Sequence, residues 1–121
     1  MTARGEARPL RKGLELLAMV KSHAARDSLS RTTFANVIEL GDDSLILESS
    51  RVYEVGDSLT ISMAFPGIAR GSTPVVSFAC VVREVRDSSN LHYDVGIQEM
   101  SDPARRQLVQ FLEKPRSGGG G

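Results

Sequence analysis

Cysteine is almost missing from this chain. Cys80 stands alone, which excludes an intramolecular disulfide and a cysteine-rich metal site. Its surroundings, Val76-Ser77-Phe78-Ala79-Cys80-Val81-Val82, suit a buried and inert thiol. Tryptophan is absent, and two tyrosines and four phenylalanines leave little for stacking nucleic-acid bases. The only histidines, His23 and His92, lack the cysteine or carboxylate spacing that would suggest zinc. Net charge is lacking too. The 15 lysines and arginines balance 15 aspartates and glutamates, so the chain as a whole does not seek a polyanion. No long apolar run occurs. Gly13–Val20 is short and broken by Glu15, neither a signal peptide nor a membrane span. A reducing, cytoplasmic setting without membrane insertion is the expectation. No serine lies in a nucleophile elbow and no phosphate-cradling Gly-x-x-x-x-Gly-Lys loop is present. Asp42 and Asp43 read as turn formers rather than as an acid–base pair. The expectation is a non-enzyme that requires no cofactor and holds no metal.

What is present is one domain's worth of residues with unevenly placed charge. Arg4, Arg8, Arg11, Lys12, Lys21, Arg26 and Arg31 crowd the first quarter against Glu6, Glu15 and Asp27. From Thr32 to Met100 acids outnumber bases. A basic segment beside an acidic body suits an anionic small ligand or an acidic patch on a partner. Residues 1–13 read as a basic leader, 14–114 as the folded domain, and 115–121, rich in glycine, as a flexible tail.

Strand patterns fill the middle. Leu14–Lys21 fits either a strand or a short helix. Thr32–Leu40 is rich in β-branched and aromatic residues, with Phe34 and Ile38 on one face. Gly41-Asp42-Asp43 signals a turn and Ser44–Ser49 the returning strand. Leu59, Ile61, Met63 and Phe65 alternate with Thr60, Ser62 and Ala64, a half-buried strand. Val75–Arg86 alternates over a length that allows it to bend and serve two neighbours. Leu91–Glu99 is the last strand, with Tyr93, Val95 and Ile97 on one face. A helix follows: Asp102 is the expected N-cap, Pro103 the first helical residue, and Ala104, Leu108, Phe111 and Leu112 the apolar stripe. Short antiparallel strands separated by turn signals predict a mainly β fold, a small barrel of about six strands with one C-terminal α-helix.

This order of elements resembles the PilZ family of bacterial domains. Gly56-Asp57 matches that family's glycine–acid turn, Arg83–Val85 its long strand, Tyr93-Asp94-Val95-Gly96-Ile97 its tyrosine–glycine strand, and Asp102–Leu112 its closing helix. The resemblance spans roughly Leu14 to Leu112 and implies that Leu14–Lys21 is a strand. It also implies cyclic di-GMP as the candidate regulatory ligand. The family grips that ligand with an Arg-x-x-x-Arg pair ahead of the first strand, which Arg4-Gly5-Glu6-Ala7-Arg8 satisfies in spacing. Its second motif, Asp/Asn-x-Ser-x-x-Gly, falls on Glu39-Leu40-Gly41-Asp42-Asp43-Ser44, which keeps none of the three positions. Glu39 alone retains a carboxylate. The candidate ligand residues are therefore Arg4, Arg8 and Glu39. The resemblance implies a divergent regulatory or adaptor domain that binds cyclic di-GMP weakly or not at all and acts through a protein partner. The alternatives are a genuine cyclic di-GMP receptor using the N-terminal arginines and a barrel that binds single-stranded nucleic acid. The scarcity of aromatics counts against nucleic acid.

Overall fold

Alternation in the sequence translates directly into an inside and an outside. In the computed structural model, which describes residues 10–25, 32–66, 75–87 and 91–113, the elements are β1 (Leu10–Ser22), β2 (Thr32–Gly41), β3 (Ser44–Glu48), β4 (Ser58–Ala64), β5 (Val75–Asp87), β6 (His92–Glu99) and α1 (Asp102–Glu113). The strands are antiparallel throughout and close into a barrel in the order β1-β2-β3-β6-β5-β4. The closing seam pairs Met19–Ser22 of β1 with Ser62–Leu59 of β4.

Every second residue points inward. Ala18 and Val20, Leu59, Ile61 and Met63, Val76, Phe78, Cys80 and Val82, and Tyr93 and Val95 are all buried in one core. Burying a side chain of this size stabilises by about 1.5–3 kcal/mol, so this inward set supplies the fold's main driving force. β5 is the long element: it pairs with β4 through Val75–Val81 and with β6 through Ala79–Asp87. Register shifts after Ala79, Val82 and Val85 bend it between the two neighbours.

Two local readings need correction, and β2 adds which of its faces is buried. β1 begins at Leu10, so Leu10–Gly13 belong to the barrel rather than to the leader. Gly13 sits at a φ of 70°, and the register shifts between Lys12 and Leu16. That bulge breaks the alternation that would have revealed the strand. In β2 the inward residues are Ala35 and Val37, then Leu40 beyond a second shift; Phe34 faces out and is 63% exposed. At the helix, Ser101 rather than Asp102 is the N-cap. Its hydroxyl accepts from the Ala104 N–H at 3.3 Å and its carbonyl from the Arg105 N–H at 2.9 Å. Pro103 thus occupies the second helical position, where the N–H is also without an intrahelical acceptor.

Both ends of the barrel are plugged. At one end Tyr93 and Tyr53 meet edge to face, with ring centroids 5.2 Å apart. The Tyr93 hydroxyl accepts from the Tyr53 N–H and donates to the Arg51 carbonyl, each at 3.2 Å. This ties the β3–β4 connection across the opening. At the other end α1 lays Ala104, Leu108, Phe111 and Leu112 onto the core. A helix of this length is marginal alone, so this face holds it. Phe111 packs 5.8 Å from Phe65. The Arg11 guanidinium lies 4.6 Å above the Phe111 ring and donates to the Phe111 carbonyl at 3.1 Å, offsetting the negative end of the helix.

Two outcomes follow from these contacts. Tyr93→Phe removes the hydroxyl that the Tyr53 N–H and the Arg51 carbonyl bond, and urea unfolding is expected to show about 1–3 kcal/mol less stability at an unchanged m-value. An unaltered midpoint would remove the hydroxyl from the account. Burial also pushes the Cys80 thiol up from 9.0 to about 12. The unfolded thiol ionises first, so its contribution is complete below pH 9 and is lost as pH rises from there toward about 12. The wild type should therefore lose stability over that window faster than Cys80→Ala, and equal slopes would contradict the buried thiol.

Candidate functional site

The turn between β2 and β3 is where sequence reasoning places the ligand. Leu10, the first described residue, pairs with Gly41 at this turn. Arg4 and Arg8 themselves lie outside the described residues. Glu39 is half-buried on β2, with Lys12 of β1 and Ile46 of β3 as its neighbours across the sheet.

The turn is held from two sides. Arg105 of α1 donates from Nη1 to the Asp42 carbonyl at 2.7 Å, and the Ile97 N–H of β6 donates to the Asp43 carbonyl at 2.9 Å. A charge-assisted bond from a helix to a turn carbonyl fixes the turn's geometry more firmly than a neutral one. Arg11, the described arginine nearest the N-terminus, is engaged with Phe111.

Beyond the turn, the outer face of β3, β6 and β5 carries a ladder of ions. Ser44 pairs with Gly96, and the Arg83 side chain lies over that glycine. A Cβ added at Gly96 would meet Arg83 Cδ at 2.9 Å, so the missing side chain is what admits the arginine's stem. Arg83 Nη2 then reaches Asp94 Oδ1 at 2.9 Å, with Nε at 3.3 Å from the same oxygen. Arg86 Nη2 stands 3.5 Å from Asp94 Oδ2 and its Nε donates to Glu84 Oε1 at 3.1 Å. The Asp94 side chain is only 12% exposed, and a carboxylate that far from water needs these partners. His92 Nε2 and Glu48 Oε2 extend the ladder at 3.0 Å.

Two open grooves flank this region. One of about 430 Å³ is lined by Thr60, Ser77, Ala79, Glu99, Met100 and Ser101, with Phe78 at its floor, on the β4–β5–β6 side and away from the turn. The other, about 350 Å³, runs along α1 past Asp102, Arg105, Arg106, Val109 and Gln110. The second adjoins the turn through Arg105 and is the cationic one. The larger groove is the less relevant to an anion, because its one charged side chain is Glu99. Among the described residues, no group of three or more His, Cys, Asp or Glu side chains is placed to hold a metal ion.

Sequence reasoning missed Arg83 and Arg105. Neither carries a local signal: Arg83 is defined by a glycine on the neighbouring strand, and Arg105 by a carbonyl 63 positions earlier. The Ser44–Gly96 pairing that links turn and ladder is likewise a property of register.

No protein family's sequence model matches this chain, and no curated protein matches it. Its fold does match a solved structure, that of the Bacillus subtilis inhibitor of motility MotI/DgrA. The TM-score is 0.70 at 12% identity, over 93% of this chain and 50% of that one. This chain thus spans half the length of that protein. At such identity the likeness is one of fold alone.

Arg105→Ala should release the turn from the helix. Hydrogen exchange is expected to accelerate at the Ile97 amide and at the turn amides, with about 1–2 kcal/mol lost in global stability. Unchanged protection there would mean that the β2–β3 register alone holds the turn.

Proposed function

We propose that this chain is a PilZ-like regulatory or adaptor domain of the cyclic di-GMP signalling family, divergent at its ligand site and acting through protein–protein contacts. The observation that carries this reading is Arg83 lying over Gly96 beside Ser44. The outer face next to the turn is filled by the chain's own arginine, and that arginine is paired with Asp94. Glu39, Asp42 and Asp43 add carboxylates along the approach to the same turn. A dianionic dinucleotide meets like charge there, which costs affinity. Its guanine would also find no Asp-x-Ser-x-x-Gly edge to read.

The distribution of aromatics supports recognition of protein over nucleic acid. Tyr53, Tyr93, Phe65, Phe78 and Phe111 are buried, and only Phe34 is exposed. One exposed ring is not a stacking platform for successive bases. No helix among the described residues is long and apolar enough to cross a membrane. A cytoplasmic location belongs to the same proposal, drawn from the lone reduced cysteine and the family's setting.

Calorimetric titration with cyclic di-GMP tests the reading directly. The wild type is expected to give no heat and no thermal stabilisation at ligand concentrations up to about 1 mM. Micromolar binding that is lost in an Arg4→Ala/Arg8→Ala variant would instead make the chain a true receptor.

A further inference from the structure

The barrel has two unlike walls. The ion ladder occupies β3, β6 and the far half of β5, whereas the wall of β2, β1 and β4 carries three of the exposed large apolar side chains. Leu17 is 64% exposed, Met19 42% and Phe34 63%. Met19 and Phe34 are paired across β1 and β2, with Leu17 two residues along the same face. The row continues from Met19 through Ser62 to Ser77, whose hydroxyls bond each other at 2.7 Å. Those hydroxyls already meet much of their hydrogen-bonding need within the chain, so covering them leaves little unpaired. Because the barrel is closed, this wall offers a face and no strand edge.

The pattern along β1 says what fits it. The outward residues, alternating cleanly with the buried ones, are Glu15, Leu17, Met19 and Lys21: acid, apolar, apolar, base. Reversed, that series is its own complement. We propose that this wall is a self-association surface on which a second copy of the chain packs about a two-fold axis crossing β1 at Ala18. Lys21 of each copy then faces Glu15 of the other, and Leu17 faces Met19. Phe34, beside Met19, falls over the Leu17–Asn36 row of the second copy. An axis parallel to β1 would instead set Glu15 on Glu15 and Lys21 on Lys21, so charge selects the antiparallel arrangement. From Glu15 to Lys21 the face runs roughly 20 Å along the strands, and across β2, β1 and β4 it measures roughly 10 Å. That footprint is small beside the ~800 Å² per partner of a standard interface, so the dimer is weak and concentration-dependent. The inference goes beyond the proposed function and stands apart from it, because no step involves cyclic di-GMP.

Sedimentation equilibrium from about 1 to about 500 µM tests the proposal, with a wild-type dimer constant expected at roughly 10–100 µM. Phe34→Asp should be monomeric throughout. Glu15→Lys and Lys21→Glu each create two like-charge contacts by symmetry, and each should weaken the dimer at least about tenfold. The Glu15→Lys/Lys21→Glu double variant restores both pairs and should dimerise as the wild type does. These charge changes are on exposed positions, so they report even if Phe34→Asp folds poorly. A wild type that stays monomeric at every concentration overturns the proposal, and so does a dimer that the single charge changes leave intact. A double variant no better than the singles overturns the antiparallel arrangement and the proposal with it.

Discussion

Closure of the barrel is the constraint from which the other features follow. A sheet of six short strands can leave two edges open, each a row of unpaired backbone groups, or it can pair its first strand with two neighbours. Here β1 does the latter, holding β2 along most of its length and β4 through Met19–Ser22. Closing removes the edges but creates two open ends and an interior that must be filled. The interior takes the inward half of every strand. The ends take what lies between strands: Tyr53 in the β3–β4 connection at one, and α1 at the other. Neither plug is stable by itself, and each is fixed by one polar device as well as by apolar contact. The Tyr93 hydroxyl serves the first and the Arg11 guanidinium the second.

With the interior committed, function is confined to the outer walls and the end turns. The β2–β3 turn lies at the helical end and is bonded to α1 and β6 through backbone carbonyls. A turn fixed in this way does not depend on the identity of its side chains. Glu39, Gly41 and Ser44 are therefore compatible with the fold although they do not match the motif of a PilZ-type guanine site. The ion ladder nearby is internally paired, with two arginines sharing Asp94. A ligand phosphate would have to displace that carboxylate, which is nearly buried, and so gain one ion pair while losing another.

Legibility in the sequence follows the same division. Strands whose alternation runs unbroken, such as Leu59–Phe65 and Val76–Val82, could be read by period alone, as could the stripe Ala104–Leu108–Phe111–Leu112. Where a bulge interrupts the period the reading failed. Gly13 hid the first four residues of β1, and the shift after Val37 changes the face that β2 turns inward, so the period does not say that Phe34 is exposed. Burial there depends on which face register assigns to a residue, not on its hydrophobicity. The helix cap was off by one position because Ser101 and Asp102 are both good caps, and only the bonds choose between them. At the candidate site Glu39 could be identified from its place before the turn. Arg83 and Arg105 could not, since each acts through a backbone partner that only the folded register brings near.

This separation explains how the architecture can be plain in a sequence that keeps no position of the Asp/Asn-x-Ser-x-x-Gly motif. The features that specify the barrel are distributed and redundant: many alternating apolar positions, the register shifts in β1, β2 and β5, and the Glu54–Asp57 turn. In that turn Gly56 adopts a φ of 96° and its N–H bonds the Val82 carbonyl at 2.7 Å. Any one apolar side chain can change to another of similar size at small cost, so two chains 12% identical can share the fold. A ligand site has no such redundancy, because each motif position makes a specific contact. Glu39 and Ser44 lie outside the core cluster, so the fold places little constraint on their identity. Arg83 over Gly96 gives the adjoining face a partner within the chain. An anion arriving at that face would have to break this pairing, whereas on the opposite wall Leu17, Met19 and Phe34 stand exposed.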